Sequence, residues 1–241
     1  MSPEQLLRDG KLGSAVEALS AGLRDNPTDR KRRTFLFELL CFAGEYDRAE
    51  KQLDLLAEGS AEAASGTLLY RAALHAEKTR QELFASDDRP KPEPEYAPGA
   101  AATIRVNGSL VQSIADSDPR VGARLEVFAG GNYLWIPFEH LASLSTEPPK
   151  RLRDLLWTPA NLRTGPDFER TDLGEVLLPV LTPDSASHPD DLVRLGKVSE
   201  WCVDEHGEEL PFGQKMLLVD GEEVPILEVR ELEIIQQPAT V

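Results

Sequence analysis

A repeat of 34 residues governs the start of this chain. Gly10-Lys11-Leu12-Gly13-Ser14-Ala15-Val16-Glu17-Ala18-Leu19 and Gly44-Glu45-Tyr46-Asp47-Arg48-Ala49-Glu50-Lys51-Gln52-Leu53 agree at the glycine, the apolar third position, the alanine and the leucine. That is the tetratricopeptide period, in which glycine turns the chain between paired helices, a small alanine lets them approach and a proline such as Pro27 closes the unit. Between the two copies, Thr-Phe-Leu-Phe-Glu-Leu-Leu-Cys-Phe over 34–42 is apolar nearly all round, which suits an inner helix covered on more than one side. Thr28-Asp29 supplies its N-cap chemistry. A longer helix is predicted over 61–84, where Leu69, Ala72, Ala73, Ala76, Leu83 and Phe84 fall at helical spacings. It is expected to cap the repeats, because fewer than three rarely stand alone.

Helical periodicity stops at Ala85. Ser86-Asp87-Asp88-Arg89-Pro90-Lys91-Pro92-Glu93-Pro94-Glu95-Tyr96-Ala97-Pro98-Gly99 carries alternating prolines, which forbid helix and central strand alike, so a proline-rich linker is expected over 86–101. Beyond it the period is that of strands. Arg124 to Phe138 contains two apolar-rich runs broken by Gly130-Gly131-Asn132, and Asp220-Gly221-Glu222-Glu223 separates two further runs; both read as β-hairpins. The expected fold is therefore multi-domain α and β: a tetratricopeptide-like helical module over 1–85, then an α+β module rich in antiparallel sheet over 102–241.

Charge and composition narrow the function. The net charge is −16, with a balance of −4 over 1–96 and −12 over 97–241, so most of the surface would repel a nucleic-acid backbone. No run approaches the apolar length of a membrane span, and Met1-Ser2-Pro3-Glu4-Gln5 lacks the basic, then apolar, start of a secretory signal, which points to the cytoplasm. Cys41 and Cys202 stand alone among apolar residues and read as buried reduced thiols. His75, His140, His188 and His206 lack metal-ligand spacing, so no metal and no other cofactor is expected. Tyr133, Trp135, Trp157 and Trp201 read as core packing, since too few basic residues surround them to hold a nucleotide. Phosphate-binding, nucleophile-elbow and metalloprotease motifs are missing. The enzyme alternative rests on His188-Pro189-Asp190-Asp191, and on Asp167 and Asp172 beside Arg163; adjacent acids after a proline serve more often as helix caps.

Several segments resemble the ImpE (SciE, TagJ) family: Leu134-Trp135-Ile136-Pro137, Asp154-Leu155-Leu156-Trp157-Thr158-Pro159, Gly165-Pro166-Asp167-Phe168, Gly174-Glu175-Val176-Leu177-Leu178-Pro179-Val180-Leu181, the His188 to Asp191 stretch and Val229-Arg230-Glu231-Leu232. Phe35-Leu36-Phe37-Glu38-Leu39-Leu40 and Tyr70-Arg71 leading to Phe84-Ala85 extend the likeness through the helical part. The linker and 104–122 depart from it. The resemblance implies a non-enzymatic accessory protein of type VI secretion that contacts a helix of the small, TssB-like sheath subunit and is linked to the ClpV ATPase that recycles contracted sheath. It brings no catalytic residues with it. Helical repeats take partner helices into grooves, so Phe35, Phe37, Leu39 and Phe42 are the candidate groove residues, with Arg32 and Arg33 steering an acidic partner; the alternative is that the long helix ending at Phe84 covers those side chains.

Overall fold

The computed structural model describes the chain except residues 59, 87–88, 166–167, 169–171, 204–206 and 238–241. Five helices come first: α1 (Pro3–Arg8), α2 (Leu12–Asp25), α3 (Arg30–Phe42), α4 (Tyr46–Ala57) and α5 (Ala61–Ala85). Both repeat glycines end a helix in the left-handed region, Gly10 at φ 73° and Gly44 at φ 71°. After α1, Gly10 N–H donates to Leu7 and Lys11 N–H to Leu6; after α3, Gly44 donates to Cys41 and Glu45 to Leu40. These paired bonds satisfy carbonyls the helix leaves open, and glycine alone adopts the geometry without strain. The matched Ala15 and Ala49 are fully buried, as are Leu19 and Leu53, so the 34-residue period is a packing period. Asp29 caps α3 by accepting from Arg32 N–H, and Ser60 caps α5 through Ala63 N–H.

Among the described residues beyond these helices are thirteen strands and a short α-helix: β1 (Ala102–Val106), β2 (Ser109–Val111), β3 (Ile114–Asp116), β4 (Arg124–Ala129), β5 (Asn132–Pro137), β6 (Leu141–Thr146), β7 (Trp157–Thr164), β8 (Asp172–Pro179), α6 (Asp191–Arg194), β9 (Glu200–Val203), β10 (Glu209–Phe212), β11 (Met216–Val219), β12 (Glu222–Pro225) and β13 (Glu231–Gln236). Every strand pairing among the described residues is antiparallel. The main sheet runs β2-β1-β13-β6-β7-β8-β4-β5, beside a β12-β11-β3 sheet and a β10-β9 hairpin. Gly130-Gly131 joins β4 to β5 and Asp220-Gly221 joins β11 to β12, each as a two-residue turn with both φ positive, the geometry that matches strand twist. The second turn is two residues shorter than the sequence suggested, because Glu222 and Glu223 pair with Val219 and Leu218. Asn107-Gly108 makes a third such turn, between β1 and β2.

One core lies within the sheets, around Ile104, Leu125, Phe138, Leu162, Leu178 and Leu217. The other mixes helix residues such as Leu19, Phe37, Leu40 and Phe42 with Phe128, Leu156, Trp157 and Leu195 from beyond the proline-rich segment. That segment, read as a spacer, lies against the sheet. Arg124 donates to Pro90 carbonyl, Ala123 N–H to Glu93 carbonyl, and Tyr96 pairs with Ile114. Gly122, at φ 62°, leaves room for this approach: a Cβ there would stand 2.1 Å from the Glu93 carbonyl oxygen.

Candidate partner-binding site

The second half of α5 is bolted to the sheet by buried charges. Arg80, 1% exposed, donates through Nε and Nη2 to the two oxygens of Glu126 on β4 at 2.7 and 3.1 Å, and reaches Glu77 at 3.2 Å and the Leu181 carbonyl at 3.0 Å. Glu77 also accepts from Trp157 Nε1 at 3.0 Å. Lys215 ties Glu126 to Asp116, and Tyr133 hydroxyl donates to Glu126. Burial by itself would raise the Glu126 carboxyl, but Arg80 and Lys215 overcome it and hold Glu126 below the ordinary range. At Asp116 burial wins over Lys215, with Glu126 and Asp118 adding to it, and lifts the carboxyl to about 6. Fully hydrogen-bonded pairs of this kind fix geometry more than they add stability.

Toward the N-terminal end of α5 the same joint opens. A cleft of about 240 Å³ lies between α5 and the sheet, with Tyr70, Ala72, Phe128, Trp157 and Leu177 among its walls. Gly131, in the β4–β5 turn, comes close to α5, where an added Cβ would sit 3.5 Å from Ala72 Cβ. Arg153 closes one side with its guanidinium 4.9 Å from the Tyr70 ring and a hydrogen bond to the Tyr70 hydroxyl. At the lip, Leu69 is 56% exposed, and the adjacent Leu68 on α5 is 63% exposed. Beyond Tyr70 a second hollow, about 290 Å³, opens beside Arg30, Lys31 and Thr34 of α3. Exposed leucines beside an apolar cleft form the kind of patch that a partner covers.

The profile of the ImpE protein family matches residues 108–233. The chain belongs to the ImpE family. A relative from Pseudomonas aeruginosa, named type VI secretion system accessory component TagJ, is 33% identical over 263 aligned positions that take in 97% of this chain and 91% of the relative. The crystal structure of a Vibrio parahaemolyticus protein superposes with a TM-score of 0.83, 21% identity and 98% coverage of both chains, so the ImpE-family fold here, helices followed by a large antiparallel sheet, is shared with it.

In this ImpE-family chain the six groove candidates read from sequence divide sharply. Phe37, Leu39 and Phe42 are wholly buried and present no surface, because α5 and the sheet cover the sides of α3 that the first repeat leaves bare. Phe35 is half-buried against the same core. Arg33 is engaged with Gln52 and the Pro27 carbonyl, and Arg32 remains exposed while pairing with Asp29 at 3.3 Å. Reading one helix in isolation could not locate the cleft, whose walls lie on segments about 60 to 100 residues apart. Leu69, grouped by its spacing with the core residues of this helix, is instead 56% exposed at the cleft.

The alternative acid/base residues serve as fold chemistry. Asp190 caps α6 by accepting from Leu192 N–H at 2.8 Å. Asp191 accepts from Gly13 N–H at 3.1 Å and from Arg194 at 3.0 Å, and Arg194 donates onward to the Ala43 carbonyl. Leu192 and Ala186 press on Gly10 and Gly44, so the segment around α6 clamps both repeat turns. Asp167 and His206 lie outside the described residues, and of Asp172 only the backbone is described. His188 is not isolated: its Nε2 lies 2.8 Å from Glu200 Oε1 and 3.9 Å from Cys202 Sγ. Cys202 is half-buried and Trp201 is 44% exposed, where sequence had suggested burial for both, since both lie on the small β9–β10 hairpin.

Proposed function

We propose that this protein is a non-enzymatic accessory adaptor of a type VI secretion system that works in the cytoplasm and holds an amphipathic helix of the small, TssB-like sheath subunit, linking it to ClpV-dependent sheath recycling. The relative named as a secretion accessory component supports the system. The cleft beside α5 supports the mode of action, and it carries the reading. An incoming helix laid along α5 would cover Leu68 and Leu69 and insert apolar side chains toward Phe128 and Leu177. Arg30 and Lys31 lie at the neighbouring hollow to steer an acidic end, replacing the role first given to Arg33. The ties of Asp190 and Asp191 to backbone amides favour the adaptor over the acid/base enzyme. No helix among the described residues is long and apolar enough to cross a membrane.

The test is binding of a fluorescent peptide carrying the sheath subunit's helix. Leu69→Glu places a charge at the cleft lip and is expected to weaken binding at least tenfold, a loss of about 1.4 kcal/mol or more, while leaving the circular dichroism spectrum unchanged. Lys31→Glu is expected to weaken it less, and only at low salt. Peptide binding that survives Leu69→Glu and Ala72→Glu in folded protein would rule out this cleft.

A further inference from the structure

The hairpin of β9 and β10 poses a physical problem. It pairs with no further strand among the described residues, and a two-stranded hairpin alone is marginal in water. Its attachments among the described residues include Ser199 hydroxyl to the Gln214 carbonyl at 3.1 Å, Trp201 Nε1 to Glu223 at 3.1 Å, and His188 against the Phe212 ring at a centroid distance of 5.5 Å. On one face of β9 three groups of metal-ligand type converge. Glu200 and Cys202 alternate onto one face of β9, His188 meets them from the segment before α6, and their ligand atoms all lie within 4.8 Å of one another.

We infer that His188 Nε2, Glu200 and Cys202 Sγ form a zinc-binding site that staples this hairpin to the segment clamping the helical repeats. Thiolate, imidazole and carboxylate together suit a borderline-soft ion, and zinc is the divalent metal most often held by such a set. Bonds of about 2.0–2.3 Å at tetrahedral angles put ligand atoms roughly 3.3–3.8 Å apart. The His188 to Cys202 separation of 3.9 Å is close to that, and Glu200, now 2.8 Å from His188 and within 4.8 Å of Cys202, is a half-exposed side chain whose rotamer can adjust to meet the ion. A water would complete the fourth position.

The protons can be followed. Asp190 N–H donates to His188 Nδ1 at 3.1 Å, so the neutral ring carries its proton on Nε2 and gives it to Glu200. Zinc takes the Nε2 lone pair, the ring proton moves to Nδ1, and the Asp190 bond is released. The Cys202 thiol loses its proton to solvent, so binding liberates one proton in all and tightens as pH rises.

The experiment uses full-length protein without an affinity tag, stripped with a chelator and titrated with zinc, then with cobalt as a spectroscopic substitute. One zinc per chain, a higher melting temperature and an intense thiolate-to-cobalt absorption in the near ultraviolet are expected. Cys202→Ala should abolish the absorption and weaken zinc binding at least tenfold, and Cys41→Ala should leave both intact. Glu200→Gln gives a second reading if Cys202→Ala folds poorly. Absence of stoichiometric zinc, or a cobalt signal that persists without Cys202, would overturn the assignment.

Discussion

Glu38 shows how one residue reports on its place in the fold. It sits on α3 between two buried neighbours, half-covered and facing the 151–154 turn. Burial lifts its carboxyl to about 7, partly offset by Arg153, while Asp154 adds to the rise. Its folded pKa therefore lies above the unfolded value of 4.5, so the folded state holds the proton more tightly and stability falls as pH rises from about 4.5 through 7. Glu38→Gln removes that penalty without changing shape. At pH 8 the variant should be more stable than the native chain by roughly 1 kcal/mol, the full shift being discounted for partial exposure. At pH 4.5 the two should converge. Urea unfolding at both values checks this, and a gap independent of pH would show that Glu38 carries no such strain.

Among elements, the repeat turns separate what sequence showed from what it hid. Gly10 and Gly44 stood out by their period, and their left-handed conformation follows from ending α1 and α3. What they touch was not legible, because Leu192 and Ala186 lie more than 140 residues away and nothing local ties them to a turn. Cover of Phe37 by the long helix over 61–84 is legible in the excess apolar surface of α3, and Tyr70 of α5 supplies it; cover by Trp157 is not, because that residue lies 120 positions away. The hairpins at Gly130-Gly131 and Asp220-Gly221, by contrast, are specified by adjacent residues and legible in the sequence. A comparison of glycines tests the clamp. Gly221→Ala, with open space around it, should cost only the left-handed penalty of about 1 kcal/mol. Gly44→Ala adds a contact at 2.8 Å with the rigid Ala186 Cβ, so it should cost roughly 2–3 kcal/mol in all. Gly10→Ala should fall between them, because the Leu192 side-chain end can move aside. Equal losses at Gly44 and Gly221 in chemical denaturation would mean that the clamp bears no load.

At the scale of the molecule, helices and sheet share a core, and we propose that the boundary near the proline-rich segment divides topology but not stability. Phe128, Leu156 and Trp157 complete the helical core, Arg80 and Lys215 meet on Glu126 from opposite sides of the joint, and Asp191 and Arg194 hold the repeat turns. Separating the parts would expose that core and leave Glu126 short of the cation that balances it, which is far costlier than never having buried the pair. The whole chain should therefore unfold in a single transition, with coincident curves from tryptophan fluorescence, which reports on the sheet, and far-ultraviolet dichroism, which weights the helices. Arg80→Ala should lower stability by about 3–5 kcal/mol in both curves together. A fragment of residues 1–85 should be helical yet lack cooperative melting, having lost the surface that α3 and α5 pack against. Two separated transitions, or a fragment that melts sharply by itself, would show that the helical part is autonomous and that the cleft beside α5 is free to open.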